Sequence, residues 1–263
     1  MDVSSTRTDF DTRLAAAIEE LRRERRRTAD ELEALQAFED RVRTMTPEEQ
    51  SFNERQPVGV TAAAARPATG LKKVRDAYES TVMSVPHYLE EYDDSYVESL
   101  IGEFSPEIAS ALTDGTGFNS RCKRALLSAV SNAQTARESL LEAIDRERES
   151  VHESKADLER LREEYEEFRS LQFNEKQFGT LDAYRARLNV VTQQCEELSE
   201  RSQAAIFDQR RIQRLPADVP DVTVYFYQDL DADYPVMSLV ADLVDTVDDL
   251  RTRVERAMTY CHA

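Results

Sequence analysis

Between Arg121 and Arg214 the apolar residues return every three and four positions. A chain that keeps this spacing for so long can bury them only as helices lying side by side. Successive seam positions are Leu126, Val130, Ala133, Arg137, Leu140, Ile144, Glu147, Val151, Ser154, Leu158, Leu161, Tyr165, Phe168 and Gln172, ten of fourteen apolar. After Asn174 and Gly179-Thr180 the pattern resumes as Leu181, Tyr184, Leu188, Val191, Cys195, Leu198, Ser202, Ala205, Gln209 and Ile212, eight of ten apolar. So short a break predicts antiparallel neighbours, a coiled-coil hairpin over 119–215 with its turn near Gly179. The outward helix, expected from about Asn119 to Phe178, outlasts the return helix. Part of its stripe therefore needs cover from the N-terminal helix or from a partner chain.

Residues 1–44 predict an amphipathic helix with a stripe of Leu14, Ile18, Leu21, Arg25, Thr28, Leu32, Leu35, Glu39 and Val42. Residues 45–69, with Pro47, Pro57, Gly59 and Pro67, read as a linker. Residues 70–118 read as a small module of short helices. Thr69-Gly70 opens one with Leu71, Val74, Tyr78, Val82 and Val85 on one side. Pro86 stops or kinks it, Ser95 and Glu98 have capping-box spacing, and Ser105-Pro106 restarts a helix before the turn at Asp114-Gly115. Residues 216–263 form an acidic segment. There Val222–Tyr227 has strand preference but nothing to pair with, so a helical turn after Pro220 is the reading, with a strand as the alternative. The final helix keeps an unbroken stripe of Val236, Val240, Leu243, Val247, Leu250, Val254 and Ala257, which must be buried. The fold class is all-α: a long antiparallel hairpin, a small helical module, and N- and C-terminal helices.

Charge divides the chain in the same way. The formal net charge is −18, yet residues 121–214 hold 18 acids against 17 bases, while 44–120 hold 13 against 5 and 216–263 hold 10 against 3. Balanced signs suit helices paired through flanking positions. Only 5 of 34 basic residues are Lys, and Asp runs such as Asp229, Asp231, Asp233 and Asp242, Asp245, Asp248, Asp249 crowd the C-terminal segment. Such a surface suits a salt-rich cytoplasm, where screening lengths of about 3 Å at 1 M salt suppress self-repulsion. The fold is expected to loosen on desalting; a far-ultraviolet circular dichroism spectrum unchanged by dialysis would refute this. The alternative is an ordinary acidic protein. Cys122, Cys195 and Cys261 are odd in number and far apart, fitting neither a disulfide framework nor a zinc pattern, and a reducing cytoplasm is expected. The start MDVSSTRTDF and the lack of any long apolar run predict neither export nor a membrane span.

Two stretches, Tyr78-Glu79-Ser80-Thr81-Val82-Met83-Ser84-Val85-Pro86-His87-Tyr88-Leu89-Glu90-Glu91-Tyr92 and Tyr227-Gln228-Asp229-Leu230 through Tyr234-Pro235-Val236, resemble a family of uncharacterised helical proteins from haloarchaea. The likeness extends over most of the chain. It implies a shared fold and a salt-rich cytoplasm, and it implies no chemistry.

The densest polar and aromatic cluster is Pro86-His87-Tyr88-Leu89-Glu90-Glu91-Tyr92-Asp93-Asp94. On a helix His87 and Glu91 share a face at i and i+4, close enough to hold a metal if Glu98 or Glu103 completes the set. The competing reading is a helix N-terminus whose acids suit the dipole while Tyr88 and Tyr92 pack inward. Arg22–Arg27 could follow phosphates, but Glu19, Glu20, Glu24, Asp30 and Glu31 lie within a turn and cancel them, so nucleic acid is not expected as a partner. No nucleotide loop or nucleophile–base set is present, so no catalytic residue and no cofactor can be named. These features predict a non-enzymatic scaffolding or interaction protein of a halophilic cytoplasm. It would form a homo-oligomer or bind a helical partner through the seam Leu140, Ile144, Val151, Leu158, Leu161, Tyr165 and Phe168, and Leu158→Glu would then separate the oligomer. The alternative is a ligand- or metal-responsive regulator sensing through residues 70–112, distinguished by stabilisation of the protein on ligand or metal addition.

Overall fold

The computed structural model describes residues 3–48, 69–213 and 220–261, and all its regular elements are helical. In chain order these are α1 Val3–Thr44, α2 Thr69–Glu79, α3 Tyr88–Glu91, α4 Tyr96–Glu103, α5 Pro106–Thr113, α6 Ser120–Arg169, α7 Phe178–Gln213, α8 Val222–Phe226 and α9 Pro235–Tyr260. Single 3₁₀ turns stand at Val82–Ser84 and Phe173–Glu175. The all-α expectation holds, and Val222–Phe226 is helix rather than strand. The linker expected over 45–69 lies, from 49 to 68, outside the described residues.

The chain forms two compact units. One combines Met1–Glu24 with Ala143–Ala263 and is called here the bundle unit; the other, Arg25–Glu142, is called the pocket unit. The helices α1 and α6 each contribute to both.

In the bundle unit, α6 and α7 run antiparallel, as the hairpin pattern requires. Glu164 meets Arg187 with its Oε2 2.8 Å from Nη2, Arg160 reaches Gln194, and Asp157 meets Arg201, so partners climb one helix as they descend the other. The turn differs from expectation. It falls at Ser170–Gln177, and Gly179 lies within the first turn of α7. The cause is Phe173, which is buried beside Tyr184 at 6.2 Å between ring centroids and beneath the Arg253 guanidinium of α9 at 5.3 Å. Docking that ring takes the chain off the helix nine residues before Phe178. All seven stripe positions of α9 are buried, as the unbroken pattern demanded, and α9 packs along α7. The N-terminal part of α1 supplies further cover: Arg13 Nη1 contacts Asp242 of α9 at 2.6 Å, and Phe10 sits under the Arg162 guanidinium of α6 at 5.3 Å.

The seam also carries polar residues, and one of them anchors α8. Glu147 accepts a hydrogen bond at 3.0 Å from the hydroxyl of Tyr227, which is fully buried just beyond α8. Burial pushes the Glu147 carboxyl above its ordinary range, and the Tyr227 hydroxyl opposes that shift.

The pocket unit is built around an aromatic core. Phe38 of α1 and Tyr78 of α2 meet edge to face at 5.2 Å, and Tyr78 likewise contacts Tyr96 at 5.8 Å and Phe104 at 5.9 Å. Short helices assemble around it because their ends are specified locally. Ser95 and Glu98 form the expected capping box on α4, and Ser105 caps α5 ahead of Pro106. Glu48 ties α1 to the rest by accepting the backbone N–H of Gly70 at 2.8 Å and of Phe118 at 3.2 Å. A side chain at Gly70 or Gly117 would collide with Phe118 Cβ or with that carboxylate, so both positions favour glycine.

Candidate ligand-binding site

In the pocket unit, α1, α6 and the segment from Val82 to Glu103 enclose a cavity of about 200 Å³. Its apolar wall includes Leu35, Val82 and Val85; Tyr88, Tyr92 and Ser99 add hydroxyls; Glu31, Asp94, Glu103 and Arg137 add charge. Each group is brought in by a separate stretch of chain. Glu31 comes from α1, Arg137 from α6, Glu103 from the last residue of α4, and the two tyrosines from α3 and its C-terminal edge. Asp93, just after Tyr92, adopts φ 45°, the left-handed region that Asp tolerates better than most residues. That turn sets Asp94 at the rim, where its backbone oxygen accepts the Tyr88 hydroxyl at 3.4 Å.

Glu31 is the hub of the charged groups. Its Oε1 accepts the Tyr92 hydroxyl at 2.8 Å and stands 3.2 Å from His87 Nε2, while its Oε2 accepts Arg137 Nε at 3.1 Å. Arg137 also donates through Nη2 to Glu103 Oε2 at 2.8 Å. One guanidinium thus bridges two carboxylates. The other oxygen of Glu103, Oε1, is closed to solvent and has no hydrogen-bond partner. Burial pushes the Glu103 carboxyl upward, Arg137 draws it back, and Glu31 adds to the rise. Burial, and then the negative charge of Glu31, push the Tyr92 hydroxyl upward as well, so it stays a donor at any ordinary pH.

The two residues weighed as candidate metal ligands, His87 and Glu91, have separate partners. His87 is buried against Glu31, and Glu91 pairs with Arg27 instead. The reason is the length of α3. It is a single turn with His87 as its N-cap, so both side chains turn toward α1 rather than out along a shared helix face. Among the described residues, no group of three or more His, Cys, Asp or Glu is placed to hold a metal ion. Tyr88 packs inward as expected, whereas Tyr92 stays 47% exposed with its hydroxyl on Glu31.

The expected interaction seam lies mostly inside the chain. Ile144, Val151, Leu158 and Leu161 are buried in the bundle unit, Tyr165 and Phe168 are half-buried there, and Leu140 is half-buried in the pocket unit. Helices of the same chain supply the cover for which a partner had been an option. Within the arginine run, Arg22 pairs with Glu19 at 3.5 Å and Arg23 with Glu20 at 2.9 Å, the internal cancellation expected from their spacing.

Sequence reading missed Arg137 and Glu31 as site residues. The available signal was Arg137 itself, since a guanidinium at a seam position needs a buried acid. Residues 12–251 match the model of a protein family described as a domain of unknown function, DUF7260. No curated protein and no solved structure matches the chain. Among the described residues, no helix is long and apolar enough to cross a membrane.

Proposed function

We propose for this chain, which belongs to the family described as a domain of unknown function (DUF7260), a non-enzymatic regulatory role in which the cavity of the pocket unit binds a small ligand. The observation that carries it is the pairing of an open cavity of about 200 Å³ with a buried carboxylate, Glu103, half of whose acceptor capacity is unused. Concave sites with an apolar wall and a few convergent polar groups are where small molecules bind. No nucleophile is aligned with a base at this cavity, so the reading is recognition and not catalysis. The acidic composition supports a salt-rich cytoplasm as the setting. A fragment library followed by two-dimensional NMR tests the reading. Shift changes confined to residues 82–103, 31 and 137 are expected from a subset of fragments, and a library without such a hit would sink it.

A second reading, self-association or docking of a helical partner, draws on Val97 and Ile101, exposed one turn apart on α4, and on exposed Leu89 nearby in sequence. It no longer draws on Leu158 or Leu161, whose surface is already used.

A further inference from the structure

We infer that the ligand of this cavity is a small organic cation, an ammonium group on a compact body, held by the carboxylate side of the site and the faces of Tyr88 and Tyr92; the inference rests on the ligand reading above. The first argument is charge. Three carboxylates, Glu31, Asp94 and Glu103, line the cavity against the single guanidinium of Arg137. The geometry shows where the deficit falls. Glu31 has donors on both oxygens and Glu103 has one on Oε2 only. The terminal torsion of a glutamate is soft, so a small rotation presents Oε1 to the cavity, where a charged N–H donor would complete its shell. An anion would meet this excess of carboxylates, and a neutral body would leave the deficit in place.

The second argument is aromatic. The rings of Tyr88 and Tyr92 lie 5.7 Å apart at 49°, forming an angled wall on the same cavity. Ring faces attract ammonium and methylated ammonium groups, and they do so more strongly where water is excluded. A hard metal ion would gain less from that wall, and of the several oxygen ligands it needs both of Glu31 and one of Glu103 are already committed to Tyr92 and Arg137.

The third argument is Gly102, in the last turn of α4. Its backbone is not in the left-handed region, and a Cβ there would meet nothing within 4 Å. Neither strain nor packing demands glycine at this position, yet the residue lines the cavity. The missing side chain keeps the cavity open.

The test is calorimetric titration of the full chain at constant high ionic strength with putrescine and with choline, beside 1,4-butanediol as a neutral control and succinate as an anionic one. One of the two cations is expected to bind once per chain. Glu103→Gln, which keeps shape and removes charge, should weaken it about tenfold or more. Gly102→Leu should block it while the melting transition persists, which separates loss of the site from loss of the fold. Binding of butanediol or succinate with both cations silent would overturn the cation assignment and leave the ligand reading intact. Silence of all four probes alongside a fragment hit at residues 82–103 would also reject only the cation. Silence of all four together with an empty fragment screen would remove both. Cation binding unchanged by both substitutions would move it off this cavity and overturn the assignment.

Discussion

Arg137→Met is expected to lower the unfolding free energy by about 3 kcal/mol at neutral pH, because it leaves two largely enclosed carboxylates without their shared cation. The side chains of Glu31 and Glu103 are only 17% and 12% exposed, and that of Arg137 is 23% exposed. Solvent therefore screens the network only partly, which places the effect near the lower end for breaking a buried pair. Met preserves much of the aliphatic stem, so lost packing contributes little. Glu31 keeps the Tyr92 hydroxyl and the His87 contact, whereas Glu103 is left with no donor on either oxygen. The loss should therefore concentrate on Glu103, and it should depend on pH. Burial already raises the folded-state pKa of Glu103, and removal of Arg137 raises it further. A carboxyl raised on folding contributes stability that is fully present below its unfolded value, about 4.3, and is lost as pH rises through the folded value. The deficit of Arg137→Met should accordingly shrink toward acid pH and grow toward neutrality. Urea unfolding across that range measures it, with Glu103→Gln added to the variant as a second arm. A deficit independent of pH and unrelieved by Glu103→Gln would mean that the uncompensated charge on Glu103 is not the source of the loss.

That network marks the boundary between what the amino-acid order discloses and what it does not. Helix periodicity is local, so α6, α7 and α9 were legible, and so were the ends of α4 and α5, whose caps sit within three residues of their targets. The register of α1 was only partly so. A stripe through Leu35, Glu39 and Val42 and one through Leu35, Phe38 and Val42 are both helical, and only the second is buried at every position. The aromatic core that decides between them draws on Tyr78, Tyr96 and Phe104, far along the chain. The site is less legible still, because Glu31 joins His87 across 56 positions and Arg137 across 106. No spacing rule reaches so far. The polar residues interrupting the seam were the trace such contacts leave: Arg137 bridges two acids, and Glu147 receives the hydroxyl of Tyr227.

Leu158 supplies the second large effect, and it distinguishes a core position from an interface position. Leu158 has no exposed surface in the bundle unit, and neighbouring Leu161 has almost none. Leu158→Ala should therefore cost about 2–5 kcal/mol of folding free energy, the transfer of the lost methyl and methylene groups plus the residual cavity. Leu158→Glu should cost more, since it would put a carboxylate where a fully enclosed apolar side chain stood. A seam closed by the chain's own helices makes both losses intramolecular. The urea midpoint should fall while the sedimentation mass of the folded protein stays that of the parent, at every protein concentration. The opposite pattern, a lower mass at an unchanged midpoint, would seat Leu158 between chains and restore the association that the heptads suggest. Full burial of Leu158 within the bundle unit favours the first outcome. At Leu158 the apolar stripe has already buried its surface inside its own chain.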